Sequence, residues 1–133
     1  MYMMELQKKQ LITFFKKNRE IKLVYLFGSH AKGTAGPLSD YDIAVYIDSY
    51  DTQKLISLKF ALIREVTAIL KTDAVDIVIL NTCEQPELKY AIITEGILLY
   101  EKLPYKMLVE PKILNEYFDF RMILERHGLT HVS

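Results

Sequence analysis

Apolar and polar residues alternate along the chain with two different periods, and each change of period predicts a new element. Apolar residues at helical spacing predict helices over 3–18 and 53–71. Short runs rich in branched and aromatic residues predict strands over 21–28, 40–48 and 74–80. The first half of the chain therefore combines strands and helices.

The second half continues this alternation with shorter elements. A short helix is predicted to begin near Pro86 and to end before Gly96, because proline suits a first helical turn and glycine suits the residue that follows a helix. Residues 97–101 predict an edge strand. The last helix is predicted to open at Pro111 and to stop at Gly128.

This order of elements predicts the fold class α/β (α+β), with a small mixed β-sheet flanked by helices. The chain has 133 residues and no Gly/Ser linker, so we expect a single domain over 1–133, with 105–133 as a C-terminal helical segment. Half of the residues are apolar and 26% are charged, which is typical of a globular protein.

Charge and cysteine content narrow the classes of function. The formal net charge is zero, which argues against direct nucleic-acid binding. A single cysteine, Cys83, allows no intrachain disulfide and indicates a reducing cytoplasm. The first ten residues lack the apolar core of a signal peptide, and no apolar run approaches a membrane span. We therefore expect a cytoplasmic protein without a membrane partner.

Two acids lie one position apart in the predicted strand 40–48. Side chains alternate between the faces of a strand, so Asp40 and Asp42 are expected to share one face. A third acid, Asp76, interrupts the predicted buried strand 74–80. Each acid alone has a structural explanation: a turn cap, a lysine pair or a frayed strand end. Together they favour a magnesium or manganese site, in which two ions could hold a phosphoryl group.

A Gly-Ser turn precedes the paired acids. Gly28 ends a strand and allows close approach of a ligand to the backbone, while Ser29 offers a hydroxyl and an N–H group to an anion. Lys32, one turn later, either neutralises phosphate charge or is a solvated surface lysine. His30 has no ligand-spaced partner and is predicted to be a residue of the loop 29–39, for which one helical turn at the start is the alternative.

The stretch "GSHAKGTAGPLSDYD" resembles the G-S-x(10)-D-x-D signature of the polymerase-beta-like nucleotidyltransferase superfamily. With the small size and the later "VDIVIL", it is similar to the minimal nucleotidyltransferases, the antitoxin partners of HEPN-domain ribonuclease toxins. The resemblance implies two-metal transfer of AMP from ATP to a toxin tyrosine. It also implies that Asp40, Asp42 and Asp76 bind two Mg²⁺ or Mn²⁺ ions.

Two alternatives remain open beside that function. A small-molecule nucleotidyltransferase, of the kind that modifies antibiotics, would use the same site, although such enzymes usually carry a further domain. An antitoxin that acts by binding alone would not use the three acids. Carboxylates on a sheet face are costly when nothing neutralises them, which favours a catalytic protein.

The predicted last helix carries more apolar surface than one packed stripe requires. Phe118 and Met122 lie beside that stripe, so we expect them to contact the toxin. The alternative is a helix buried in the core of its own domain. The stripe expected to pack on the domain consists of Ile113, Tyr117, Phe120 and Leu124.

Overall fold

A computed structural model describes residues 3–129 of the chain. Within that range no helix combines the length and the apolar character needed to cross a bilayer. The elements, in chain order, are α1 (Glu5–Lys17), β1 (Ile21–Phe27), α2 (Ser29–Lys32), β2 (Tyr41–Ile47), α3 (Thr52–Leu70), β3 (Val75–Ile79), a 3-10 turn (Leu80–Thr82), α4 (Pro86–Glu95), β4 (Ile97–Glu101) and α5 (Tyr105–Arg126).

The strands form one four-stranded sheet in the order β3-β2-β1-β4. β1 pairs with β2 and with β4 in antiparallel fashion, whereas β2 and β3 are parallel. The parallel pair requires a crossover, and α3 provides it. The sheet is therefore mixed and flanked by helices, as the sequence predicts.

The two faces of the sheet pack against different helices. On one face, Ile43 and Val45 of β2 are buried with residues of α1 and α3. On the other face, Ala44 of β2 is buried with residues of α4 and α5, and Tyr46 packs against them. The alternation along β2 thus places the even-numbered side chains, Asp42 among them, on the face that carries α4 and α5.

Two details of the predicted strands are wrong. Strand β3 is an edge strand rather than a buried one, and only Ile77 within it is buried. Asp76 is consequently exposed. Asp40 precedes β2 instead of lying in it, because the ladder with β1 and β3 begins at Tyr41. Asp40 nevertheless lies near Asp42, because its negative charge raises the pKa of the Asp42 carboxyl.

The predicted start of the last helix is also wrong. Helix α5 begins at Tyr105, six residues before Pro111, which lies inside the helix. Proline lacks an N–H group and cannot bond the carbonyl group four residues earlier, here that of exposed Met107. Solvent can bond that carbonyl group, so the helix continues through the proline.

Helix α5 packs on the sheet through its first half only. Val109 and Ile113 are its buried residues, and Tyr117 stacks on Tyr90 of α4 at 3.9 Å between ring centroids. Among the later residues, Phe120 is only partly buried. Large apolar side chains are about half exposed in the second half: Phe118 (52%), Met122 (55%) and Ile123 (53%).

The second half of α5 is thus not buried in the core of the domain. The alternative of a last helix buried in its own core is therefore excluded for this half. The last residues of the predicted C-terminal segment, 130–133, lie outside the described part of the chain.

Candidate active site

The Gly-Ser turn joins β1 to the single helical turn α2. Gly28 caps α2 with φ of 73° and ψ of −154°, and its carbonyl oxygen accepts hydrogen bonds from the N–H groups of Ala31 and Lys32, both at 3.1 Å. The N–H groups of Ser29 and His30 lie at the start of this turn, where helical geometry provides no acceptor. The turn thus offers donors to an anion beside the sheet.

Gly28 lies directly against the carboxylate of Asp42. A Cβ atom at this position would overlap with Oδ2 of Asp42 and would lie 3.2 Å from its Cγ. The positive φ of Gly28 also disfavours any residue with a side chain. Both the backbone conformation and the close approach therefore require glycine here.

The three acids come together around Asp42. In the sheet, Asp42 lies opposite Phe27 of β1 and opposite Asp76 of β3. Partial burial raises the pKa of Asp42, and the negative charges of Asp76 and Asp40 raise it further. The carboxylates of Asp40 and Asp76 are therefore near enough to repel that of Asp42.

This arrangement fits a hard divalent cation in its donor chemistry. In residues 3–129, no lysine or arginine forms an ion pair with any of the three acids, and no side chain donates a hydrogen bond to Asp42. Oxygen ligands of this kind suit Mg²⁺ or Mn²⁺. Over the same residues, no three acidic, histidine or cysteine side chains are gathered as metal ligands. Carboxylates with no cation between them repel each other, which explains why the three acids lie further apart than the ligands of one metal ion would.

The two remaining polar residues of the turn, Lys32 and His30, have partners outside it, and the exposure of Lys32 agrees with the surface alternative. Lys32 is more than half exposed and lies 3.8 Å from a carboxylate oxygen of Glu95 on α4, so it has an acidic partner on the surface. His30 lies in the single helical turn α2, and its ring stacks on that of Tyr41 at 3.8 Å between centroids. Its charge favours ionised Asp42 and lowers the pKa of that carboxyl.

His30 could not be assigned to the site from sequence, because the sequence contains no second histidine at ligand spacing. The one sequence feature that could have indicated its place in the site is its position directly after the Gly-Ser pair. The ring is held on its other side as well, since Nε2 lies 3.4 Å from the carbonyl oxygen of Ser39.

The raised pKa of Asp42 predicts a specific pH dependence of stability. Between the ordinary value of 3.8 and the higher folded value, the folded chain holds more protons than the unfolded chain, so stability falls as pH rises through this interval. Asp42→Asn should abolish this component and raise the melting temperature at pH 7 without added metal. The measurement is thermal unfolding of both proteins from pH 3.5 to 7.5.

Asp73→Asn is the control for that comparison, since Asp73 is an exposed aspartate just before β3 whose charge does not act on the carboxyl of Asp42. Its profile should follow that of the wild-type chain. Identical profiles for Asp42→Asn and the wild-type chain would contradict the assigned repulsion.

Comparison with known families identifies the fold. Residues 9–104 match the sequence model of the family "Polymerase beta, Nucleotidyltransferase". The chain belongs to the polymerase beta nucleotidyltransferase family. This confirms the family that the Gly-Ser and Asp-Tyr-Asp pattern predicts, and it places the Gly28 turn and all three acids within the matched region. No curated protein sequence matches the chain significantly.

Several solved structures share this fold over nearly the whole chain. A toxin–antitoxin crystal structure with AMP-PNP is similar at 26% identity and a TM-score of 0.72, covering 90% of this chain and 93% of that one. A MntA–HpeT mutant with two aspartate-to-glutamate changes is similar at 25% identity, with a TM-score of 0.73 and the same coverage.

A third similar structure contains a modified toxin. It is the tri-AMPylated HEPN toxin of Shewanella oneidensis in complex with an MNT antitoxin. The identity is 25% and the TM-score is 0.69, over 93% of this chain and 94% of that one. The resemblance to minimal nucleotidyltransferase antitoxins is thereby confirmed.

Proposed function

We propose that this chain is an antitoxin that transfers AMP from ATP to a tyrosine of a HEPN ribonuclease toxin and so neutralises it. The observation that carries the proposal is the cluster of Asp40, Asp42 and Asp76 against the Gly28 turn, in a chain of the nucleotidyltransferase family. An anion site beside three clustered carboxylates, none of which forms an ion pair with a lysine or arginine within residues 3–129, suits the transfer of a phosphoryl group.

The reaction exchanges one phosphorus–oxygen bond for another. The phenol oxygen of the acceptor tyrosine attacks the α-phosphorus of ATP, the bond to the bridging oxygen breaks, and pyrophosphate leaves. The N–H groups at Ser29 and the hydroxyl group of Ser29 hold phosphate oxygens, and Gly28 allows that close approach. Asp76 is exposed on the edge strand and thus accessible to an acceptor, where its carboxylate would favour loss of the phenol proton.

Asp40, Asp42 and Asp76 would hold two Mg²⁺ ions, with Mn²⁺ as an alternative. When bound, such ions stabilise charge on the attacking and leaving oxygens of a phosphoryl transfer. Partial burial, and then the charges of Asp76 and Asp40, raise the pKa of Asp42, and this supports the assignment because a divalent cation would stabilise the ionised carboxylates.

The similar structures support the choice of nucleotide, acceptor and partner. One contains AMP-PNP, an ATP analogue, and another contains an AMPylated HEPN toxin. A third carries two aspartate-to-glutamate changes at positions separated by one residue, the same spacing as Asp40 and Asp42. These proteins are similar to this chain over at least 90% of its length, so we propose the same class of partner.

Pyrophosphate release separates the proposed function from its alternatives. Purified chain should release pyrophosphate from ATP and Mg²⁺ only when the HEPN toxin is present. An antitoxin that acts by binding alone releases none. A small-molecule nucleotidyltransferase releases it with an antibiotic acceptor and not with the toxin.

We further propose that the second half of α5 docks the toxin. A protein substrate must be held by surfaces outside the phosphate site, and Phe118 and Met122 are more than half exposed there. Aromatic and methionine side chains are enriched at protein interfaces. HEPN toxin is the occupant we assign, because similar structures that match at least 90% of this chain are toxin–antitoxin complexes.

Phe118→Ser and Met122→Ser should weaken co-purification with the toxin. Since both side chains are more than half exposed, Met122→Ser should change the free energy of unfolding by about 0.5 kcal/mol or less. Phe118→Ser also removes edge contacts with Tyr90 and Tyr117, so a somewhat larger change is expected. Co-purification and thermal unfolding are the two measurements.

Phe60→Ser is a matched control, because Phe60 is 65% exposed on α3, which packs on the opposite face of the sheet. It should leave co-purification unchanged. A large loss of stability with toxin binding intact in the α5 variants would contradict the docking role.

A further inference from the structure

A cavity of about 240 Å³ lies between α5, α4 and the end of β2. Three tyrosines and three charged residues are among its lining, and we call it the tyrosine cavity: Tyr46, Tyr50, Tyr105, Lys89, Lys112 and Glu116. None of the acids around Asp42 and no residue of the Gly-Ser turn lines it. It is therefore a second feature of the same sheet face, distinct from the phosphate turn.

The cavity and Asp42 lie on the same face of β2, with the buried Ala44 between them. Tyr46 follows Asp42 by four residues on the same face, so their Cα atoms are about 13 Å apart at the usual rise of a strand. That separation is within the reach of one extended nucleotide. The tyrosine cavity is therefore within one nucleotide's length of the acids, although Ala44 and the helices packed on it close the direct line along β2.

Two of the three tyrosine rings, Tyr46 and Tyr105, are held in place by contacts. Tyr46 and Tyr105 pack at 6.1 Å between centroids, and the hydroxyl group of Tyr105 donates a hydrogen bond of 2.8 Å to Asp48. Partial burial, and then the neighbouring Tyr50, raise the pKa of Tyr46. Fixed, neutral aromatic rings are surfaces on which a flat heterocycle stacks.

Of the three charged residues that line the cavity, only one lysine has no acidic partner within residues 3–129. Lys89 is only 12% exposed and lies 2.7 Å from a carboxylate oxygen of Glu116, so these two charges compensate each other. Lys112 is exposed and forms no ion pair within residues 3–129. The lining therefore carries one net positive charge, located on an exposed side chain.

We propose that the tyrosine cavity binds an adenylate group, with the base among the tyrosines and the phosphate at Lys112. The volume is below the range of about 300–1,000 Å³ for pockets that enclose whole drug-sized ligands, so the phosphate stays outside near the exposed lysine. The choice of adenylate over other nucleotides rests on the proposed function. The group is either the AMP part of incoming ATP or an AMP unit already attached to the toxin.

The test is binding of AMP alone, without metal, ATP or toxin. Because the chain has nine tyrosines and no tryptophan, tyrosine fluorescence reports binding directly, and calorimetry confirms it. Lys112→Ala and Tyr50→Ala should each lower the affinity for AMP at least about tenfold, the effect of losing one charge-assisted contact or one stacked ring. Lys106→Ala, an exposed lysine of α5 outside the cavity lining, should bind AMP as the wild type does.

Equal AMP affinity in all four proteins, or no saturable binding, would overturn the proposal. Transfer kinetics then identify the source of the adenylate. If Lys112→Ala raises KM for ATP, the cavity holds the base of the incoming nucleotide. If the first AMP is added normally and later additions are lost, it holds the AMP already on the toxin. AMP binding without any transfer would contradict only the antitoxin function.

Discussion

Asp42→Asn should abolish AMP transfer while leaving the fold intact. Asparagine has nearly the shape of aspartate but carries no charge, so it cannot hold divalent ions together with Asp40 and Asp76. Metal ions contribute several kcal/mol to phosphoryl transfer, which corresponds to about a thousandfold in rate. The measurement is transfer of labelled AMP to purified toxin under saturating ATP.

Thermal unfolding in the presence of Mg²⁺ provides a second test of the Asp42→Asn substitution, this time of metal binding. Mg²⁺ should raise the melting temperature of the wild-type chain, since an ion that binds only the folded state stabilises it. It should have much less effect on Asp42→Asn. Asp73→Asn should behave as the wild type in both assays, and substantial transfer by Asp42→Asn would contradict the assigned site.

Gly28→Ala should lose at least about a hundredfold in transfer rate, the usual effect of moving a reacting group by about 1 Å. The added methyl group would overlap with Oδ2 of Asp42 and displace this carboxylate. Steady-state transfer assays with the purified toxin measure the loss.

Gly33→Ala is the matched control for this experiment. Gly33 has φ of 74° against 73° for Gly28, but a Cβ atom there meets nothing within 4 Å. Both substitutions should therefore reduce stability by about 1–2 kcal/mol through the positive φ. Only Gly28→Ala should also reduce transfer. Equal transfer by the two variants would show that the contact with Asp42 is irrelevant to catalysis.

Much of the fold followed from hydrophobic periodicity. The predicted helix over 53–71 is observed as Thr52–Leu70, and the strand over 21–28 as Ile21–Phe27. The buried leucines and valine of that helix recur at the predicted helical spacing, because a helix packed on a sheet buries one stripe. Local pattern therefore located the elements to within a few residues.

The errors arose where tertiary position overrides local pattern. Residues 74–80 are apolar enough for a central strand, yet β3 lies at the sheet edge, since position in the sheet depends on the whole topology. Pro111 is a usual helix start, but an exposed carbonyl group one turn earlier allows the helix to continue.

The candidate site was predicted more fully than its surroundings. Glycine, serine and acids at fixed spacing form a local sequence signal, so the sequence alone assigns Gly28 and Asp42 to one site. The stacking of His30 on Tyr41 and the tyrosine cavity depend on contacts between distant segments. No periodicity or spacing in one sequence reports such contacts.

The most direct test of the proposed function is the intact mass of the HEPN toxin after co-expression with this chain. With the wild-type chain, the toxin mass should increase by one or more whole AMP units, and fragmentation should locate them on a tyrosine. With Asp42→Asn, the toxin should keep its unmodified mass. An unmodified toxin that both proteins neutralise equally would contradict catalysis and show that the chain acts by binding alone.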